Sequence, residues 1–290
     1  MMNQLIQTKC PVWSNMALVC ALTLLMSCTE QNYASPDGYD INKPQKENLG
    51  KVLNEISGIC FNNDDNTLLA ISDSKEKVFQ INIDKQKLKD YTDKVVGPDT
   101  DLEDIVKVDS SLYLLSSKGV IYEVPHKKDT IRRYTFQSSD QNDFETLYFD
   151  PSVNSLIMVC KECPADKGKS VRSAYRFDLS EKKFEPSAFF TLSTGEVKKI
   201  LKDDNAKFDP SAASIHPVNK RLYILSSAGN LLVIADTRGK IIEAYHLNEE
   251  QFPQAEGIAF APNGDMFITN EGKYNAPTLQ EFKYLNDKNK

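Results

Sequence analysis

In QAEGIAFAPNGDMFITNEG, residues 254–272, Glu256 stands just ahead of the apolar run 258–260. Residues 101–119 and 143–162 repeat the arrangement, with Glu103 and Glu145 in the corresponding places. A carboxylate placed ahead of an apolar run three times over indicates an internal repeat whose units share a structural role.

The repeat extends through most of the chain. Aligning the apolar runs puts five residues in one column: Ser57, Glu103, Glu145, Ser211 and Glu256. The intervals between them are 46, 42, 66 and 45 residues, and the long interval contains an insertion at 195–208. Short strand-like runs separated by turn residues fill each unit. Four strands in about 40–45 residues are typical of a propeller blade, so we predict an all-β, five-bladed β-propeller, with six blades as the alternative.

The last unit has only three strand-like runs, ending in residues 278–285. We predict that the missing outer strand comes from the N-terminus, where GYDIN at 38–42 precedes the first unit. An N-terminal strand in the last blade would close the ring and leave no open sheet edge there.

Composition sets the class of protein. A chain of 290 residues with 40% hydrophobic and 26% charged residues can bury a full-sized core. The net charge is −6, and no long run of Lys and Arg occurs. Binding of nucleic acid is therefore not expected, because it needs clustered cations to meet the phosphates.

The N-terminus resembles a secretory signal. The apolar run MALVCALTLL at 16–25 has the length of a signal h-region and leads into LMSC at 25–28, which resembles a bacterial lipobox. We predict a lipoprotein signal at 1–27, a lipid anchor to the membrane on Cys28, a tether at 28–37 and one propeller domain at 38–290. An ordinary signal with a chance cysteine is the alternative. The cell envelope is the predicted location, with the outer membrane as the default, because Thr29 is not the Asp that favours inner-membrane retention in enterobacterial lipoproteins.

The remaining cysteines and histidines give weaker signals. Cys160 and Cys163 have redox spacing, but the motif follows a strand-like run and does not open a helix. A local disulfide or two ordinary thiols are the preferred interpretations. The three histidines lie far apart in unlike contexts, so they predict no metal or catalytic cluster.

The column predicts a ring at one mouth of the central channel. The start of the first strand and the end of the second lie at the same end of a blade, because the two strands are antiparallel neighbours. Three acidic residues that follow second strands should therefore join the ring at this mouth: Asp73, Glu162 and Glu271. We expect an acidic mouth that binds a small molecule or an envelope protein.

The ring itself predicts a calcium site formed by Ser57, Glu103, Glu145, Ser211 and Glu256. Three converging carboxylates repel one another, and the column supplies no Lys or Arg. Calcium takes about 6–8 oxygen ligands in a loose geometry, whereas zinc prefers the nitrogen and sulfur that this column lacks. A water-filled channel with protonated or solvated carboxylates is the alternative.

Five ordered motifs carry a family resemblance: LNEISGICF at 53–61, DLEDIV, DFETLYFD, DPSAASIHP and the opening stretch. They resemble the SdiA-regulated family of bacterial cell-envelope propellers, over essentially all of 38–285. The resemblance implies a propeller in the envelope and assigns no biochemical activity. The ring alone also resembles the axial calcium site of calcium-activated nucleotidases, from which no nucleotide-binding residue carries over.

Three classes of function remain open. The first is a calcium-stabilised propeller that binds a ligand or protein at its acidic mouth. The second is a calcium-dependent hydrolase of phosphate or other esters, phytase-like or nucleotidase-like, since metal-activated water needs only carboxylates and an open coordination position. The third is a purely structural envelope protein. The first is preferred, and whether the protein is an enzyme is left open.

Overall fold

Five antiparallel sheets follow one another along the chain in this computed structural model. The structure describes residues 32–83, 87–93, 95–97, 100–125, 130–136, 142–272 and 275–285. The contacts divide the chain after Asn32, and all five sheets belong to the unit Tyr33–Lys290. The predicted signal and Cys28 lie outside the described residues. Within them, no helix is long and apolar enough to cross a bilayer.

Each sheet is one blade, with its strands in the order inside to outside. Blade 1 contains β2 (Ile56–Asn62), β3 (Thr67–Ser72), β4 (Phe79–Asn82) and β5 (Lys87–Asp90). Blade 2 contains β6 (Leu102–Val108), β7 (Ser111–Ser116), β8 (Val120–Val124) and β9 (Arg132–Thr135). Blade 3 contains β10 (Asp143–Asp150), β11 (Ser155–Glu162), β12 (Val171–Asp178), and then β13 (Lys183–Phe184) and β14 (Phe190–Ser193), which both pair with β12. Blade 4 contains β15 (Ala212–Ile215), β16 (Leu222–Ser226), β17 (Leu231–Ala235) and β18 (Ile241–His246). Blade 5 contains β19 (Ala255–Phe260), β20 (Met266–Asn270), β21 (Thr278–Phe282) and, outermost, β1 (Gln45–Asn48).

The innermost strands close into a ring. β2 packs against β6, β6 against β10, β10 against β15, β15 against β19, and β19 again against β2. The predicted five-bladed propeller is confirmed, and the six-bladed alternative is wrong.

The core is divided among the gaps between neighbouring blades. On β3, Leu68 and Ala70 pack against blade 5, whereas Leu69 and Ile71 pack against blade 2. Successive side chains of a strand point to opposite faces, and both faces of a blade are covered by its neighbours. Middle strands therefore have apolar residues at consecutive positions, which explains the uninterrupted apolar runs in the sequence.

The N-terminal segment closes blade 5, but with different residues from those predicted. The closing strand is β1, Gln45–Asn48, which pairs antiparallel with β21. Residues 38–42 form no strand, so the prediction of GYDIN as the closing strand is wrong in its position. Tyr39 and Ile41 are instead buried in the core between blades 4 and 5. Tyr33 also contacts this segment, since its N–H donates to Asn42 Oδ1 at 2.8 Å.

The insertion at 195–208 contains the one α-helix among the described residues, α1 (Thr194–Leu201). Ser193 caps it by accepting the N–H of Glu196 at 3.1 Å. Val197 is its buried residue and joins the core between blades 3 and 4. The insertion therefore covers the outside of the propeller and does not interrupt a blade.

Candidate functional site

Four of the five ring residues lie at β-bulges in the innermost strands. The registers of β2, β6, β10 and β19 with their partners skip at Ser57, Glu103, Glu145 and Glu256, respectively. A bulge leaves one residue unpaired and re-aims its side chain. Ser211 directly precedes β15, and its N–H donates to Leu225 O at 2.9 Å. The column found in the sequence is thus a column of equivalent structural positions.

The three glutamates share one electrostatic environment. Burial, and then the charges of Asp101, Glu145, Asp143 and Glu256, raise the pKa of Glu103 to about 9. Burial and then the charge of Glu145 raise the pKa of Glu256 to about 8. The structure therefore brings these carboxyl groups together at one mouth of the channel, where ionising all of them is costly.

A cation from outside the column reaches the ring, although the column itself supplies no Lys or Arg. Lys161, near the end of β11, donates a hydrogen bond to Glu145 Oε1. Burial disfavours its ammonium, but the bond to Glu145 prevails and raises the pKa of Lys161. Burial also raises the pKa of Glu145 and outweighs the opposing effect of Lys161. One of the three glutamates is thus already paired.

The two serines of the ring are partly engaged. Ser57 Oγ donates to Glu55 O at 3.2 Å. Ser211 Oγ donates to Ala255 O at 2.8 Å and accepts the N–H of Ser227 at 3.2 Å. Each hydroxyl oxygen keeps a lone pair that a cation could share.

The donor set suits calcium chemically, but it is not preassembled. All five ring side chains offer oxygen, the ligand type that calcium prefers. Within the described part of the chain, no group of three or more His, Cys, Asp or Glu side chains is arranged to hold a metal ion. Binding of calcium would therefore require the glutamate side chains to close in around it.

The acidic residues predicted for the mouth lie where the sequence places them. The N–H of Asp73 donates to Glu55 O at 3.1 Å, and that of Glu271 donates to Gln254 O at 3.0 Å. Glu162 stands opposite Asp143 in the pairing of β10 with β11. Burial and the charges of Glu55 and Asp101 raise the pKa of Asp73 to about 6. This mouth is strongly acidic, as predicted.

Beside the ring lies a cavity of about 650 Å³, which we call the hairpin cavity because the β11–β12 connection forms most of it. It is lined by Lys161, Glu162, Cys163, Pro164, Asp166, Lys167, Gly168, Lys169, Arg172 and Asp209. Cys160 and Cys163 form a disulfide at the base of this connection. The sequence left two interpretations open, a local disulfide or two ordinary thiols. The structure contains the disulfide.

The opposite end of the channel has a different character. A cavity of about 160 Å³ there is lined by the distal parts of all five innermost strands. Lys107 is the one charged residue in its lining, and it pairs with Asp64 at 2.6 Å. The lining of this cavity is therefore mainly apolar, in contrast to the acidic mouth that carries the ring.

Two further residues of this region, Asp104 and Arg172, were not predicted from the sequence. Asp104, next to the ring position on β6, is 3% exposed and accepts the N–H groups of Ile105 and Leu147, each at 2.8 Å. It joins blade 2 to blade 3 behind the ring. Arg172 forms an ion pair with Asp209, which lies two residues before the ring residue Ser211. Their neighbours in space come from other blades, so no local pattern reveals them.

Solved structures share the fold at low identity. A luciferin-regenerating enzyme is 12% identical, with a TM-score of 0.52 over 84% of this chain and 96% of that chain. A calcium-binding protein, regucalcin of Agrobacterium tumefaciens, is 12% identical, with a TM-score of 0.51 over 82% and 92%. A putative gluconolactonase is 13% identical, with a TM-score of 0.50 over 80% and 76%. At such identities the likeness is one of fold alone.

No curated protein matches the sequence. The family model named SdiA-regulated matches residues 32–274, which include all five innermost strands and the whole acidic ring. This match covers most of the chain and agrees with the five motifs that carried the resemblance. The chain therefore belongs to the SdiA-regulated family.

Proposed function

We propose that this protein is a lipid-anchored cell-envelope propeller that binds calcium at its ring and a ligand at the acidic mouth. The observation that carries the proposal is the convergence of Glu103, Glu145 and Glu256 at one mouth, where Lys161 is the one cation paired to them among the residues that the structure describes. Three ionised carboxylates and one ammonium leave a formal charge of −2. One divalent cation would neutralise it, and oxygen ligands favour calcium.

A structural neighbour is described as calcium-binding, but at 12% identity it contributes only a precedent for the fold. The proposal rests on the ring of this chain. Bound calcium would draw Glu103 and Glu256 together and would fix the mouth around an oxygen-rich ligand. Lys161 would hold Glu145 in place.

Calorimetric titration of calcium into residues 29–290, which include the whole propeller unit, tests the site directly. We expect one binding event, and we expect the Glu103→Gln/Glu256→Gln variant to lose it because two charged ligands become neutral. The exposed pair Glu249→Gln/Glu250→Gln changes the net charge equally and should bind as wild type does. Absence of binding in wild type, or equal loss in both variants, would overturn the calcium site.

Hydrolysis of phosphate esters is the second candidate, because a metal at this mouth could activate water and the hairpin cavity is large enough for a substrate. Nucleoside diphosphates, phytate and phosphodiesters would be screened with calcium present. Turnover that Glu162→Ala or Glu271→Ala abolishes would establish the enzyme. Ligand binding without turnover would establish the binding protein.

The lipid anchor on Cys28 predicts a change in partitioning. We expect Cys28→Ala to move the full-length protein from the detergent phase to the aqueous phase, because the acylated side chain is lost. Phase partitioning after expression in a bacterium with lipoprotein processing measures this. Cys60→Ala serves as the cysteine control, since that residue is a free thiol inside the propeller. A Cys28→Ala protein that stays in the detergent phase would contradict the anchor.

A further inference from the structure

The hairpin cavity differs from the rest of the mouth in the sign of its charge. Four cations line it, Lys161, Lys167, Lys169 and Arg172, against three carboxylates. Elsewhere at this mouth the acidic residues dominate. A local excess of cations inside an acidic surface therefore requires its own explanation.

Two of the three carboxylates are already engaged. Asp166 is 5% exposed and accepts the N–H of Ser173 at 2.7 Å and the Oγ–H of Ser173 at 2.5 Å. Asp209 forms an ion pair with Arg172. Only Glu162 remains as an exposed acid in the lining.

Lys167 and Lys169 are the available cations. Both are exposed, and no ion pair joins either side chain to another residue in the described part of the chain. The residue between them, Gly168, has φ +76° and open space where a Cβ would lie. This turn places the two ammonium groups on one short loop without a side chain between them.

Arg172 adds an unsatisfied donor. Its Nε is buried and has no hydrogen-bond partner among the described residues, although its other nitrogens bond to Asp209 and to Val171 O. A buried N–H without an acceptor is costly. The Arg172 side chain as a whole is 23% exposed, so a small movement of it would let an oxygen from outside the protein accept from the guanidinium.

A disulfide and two side-chain hydrogen bonds hold the wall of the cavity in place. The Cys160–Cys163 disulfide fixes the start of the connection, and the bonds from Ser173 to Asp166 fix its return. Lys161 belongs both to this wall and to the ring, where it holds Glu145. A group bound in the cavity would lie directly beside the proposed calcium.

We propose that the hairpin cavity binds a phosphate group of the ligand that the mouth receives. The two available lysines match the charge of a phosphate monoester, which is about −1.5 to −2 at neutral pH. Lysine ammonium groups bind phosphate as point charges, and arginine adds directed donors. The inference rests on the proposed function in taking the mouth as the ligand site, and it names the chemistry of that ligand.

Inorganic phosphate is the probe, titrated calorimetrically into metal-free residues 29–290 prepared over a chelating resin, with chloride at matched ionic strength as the reference. We expect Lys167→Gln/Lys169→Gln to weaken phosphate binding by about tenfold or more, because two charge-assisted contacts are removed. Glu162→Gln should strengthen binding, since it removes the exposed acid. The control Lys89→Gln/Lys240→Gln changes two exposed lysines outside the cavity and should bind as wild type does.

The proposal is overturned if wild type binds no phosphate, if both lysine pairs weaken binding equally, or if succinate binds and phosphate does not. The same titrations distinguish a failure of the phosphate proposal from a failure of the calcium site. Calcium binding without phosphate binding would remove this inference alone, whereas phosphate binding to a protein that takes up no calcium would remove the calcium site alone.

Discussion

Stripping divalent cations from this protein should lower its melting temperature by on the order of 10 °C at about pH 8.5, and by much less at about pH 5.5. The reason lies in the protons on the ring. The pKa values of Glu103 and Glu256 are about 9 and about 8, against the ordinary value of 4.5. Calcium must displace these protons at low pH but meets ionised carboxylates at high pH, so its affinity rises with pH.

The sign of the pH dependence without metal follows from the same shifts. Between about pH 4.5 and 8, the unfolded chain has released protons that the folded ring retains. The folded protein binds more protons there, so its free energy of unfolding falls as pH rises. Burial raises the pKa of Asp73 and of Asp143 as well, and they add to the same slope at lower pH. Saturating calcium should flatten this slope.

Thermal melts at several pH values, with and without calcium, measure both effects. Glu103→Gln/Glu256→Gln should show a flatter slope without metal and no response to calcium, because the titrating groups are gone. Glu249→Gln/Glu250→Gln should behave as wild type does. If calcium raises the melting temperature equally at both ends of the pH range, its binding is not linked to the ring glutamates.

Tyr39→Ala should destabilise the propeller by about 3–5 kcal/mol, although the residue lies before the first blade. Tyr39 is 6% exposed and packs against the rings of His216 and Tyr223 in blade 4 and of Tyr284 in blade 5. Its hydroxyl bonds to His216 Nε2 at 2.7 Å and donates to Gly264 O at 2.5 Å. Truncation would leave a cavity between the blades where the ring closes and two polar groups without a partner.

The partner His216 fixes the direction of this chain of hydrogen bonds. Its Nδ1 accepts the N–H groups of Val218 and Asn219, and burial lowers its pKa to about 4. The neutral imidazole therefore carries its proton on Nε2 and donates to Tyr39. Tyr39→Phe keeps the ring but removes the hydroxyl, so we expect it to cost about 1–3 kcal/mol.

Chemical denaturation of wild type, Tyr39→Ala and Tyr39→Phe measures these losses of stability. Tyr33→Ala is the control, because Tyr33 is only partly buried against the same core. Tyr39→Ala should cost clearly more than Tyr33→Ala, and Tyr39→Phe should lie between wild type and Tyr39→Ala. Equal midpoints for Tyr39→Ala and wild type would show that residues 38–42 do not secure the closure.

The placement of the closing strand shows where reading the sequence fails. Tyr39 and Ile41 alternate with polar residues, so GYDIN has the pattern of a strand. The actual strand, Gln45–Asn48, has no fully buried side chain. An outermost strand is held through its backbone hydrogen bonds, and these leave no apolar pattern in the sequence. The alternating residues serve instead to fill the gap between blades 4 and 5.

The repeat is visible in the amino-acid sequence, and it predicts the propeller, the five-residue ring and the acidic mouth. These follow from the sequence because each blade repeats one local pattern, with its ring residue at a fixed place before an apolar run. Three features appear only in the folded molecule: four of the five ring residues occupy bulges, Lys161 reaches Glu145, and Lys167, Lys169 and Arg172 share a cavity beside the ring. Burial and the charges of other blades set the pKa of each ring glutamate, and both depend on distances that exist only after the ring has closed.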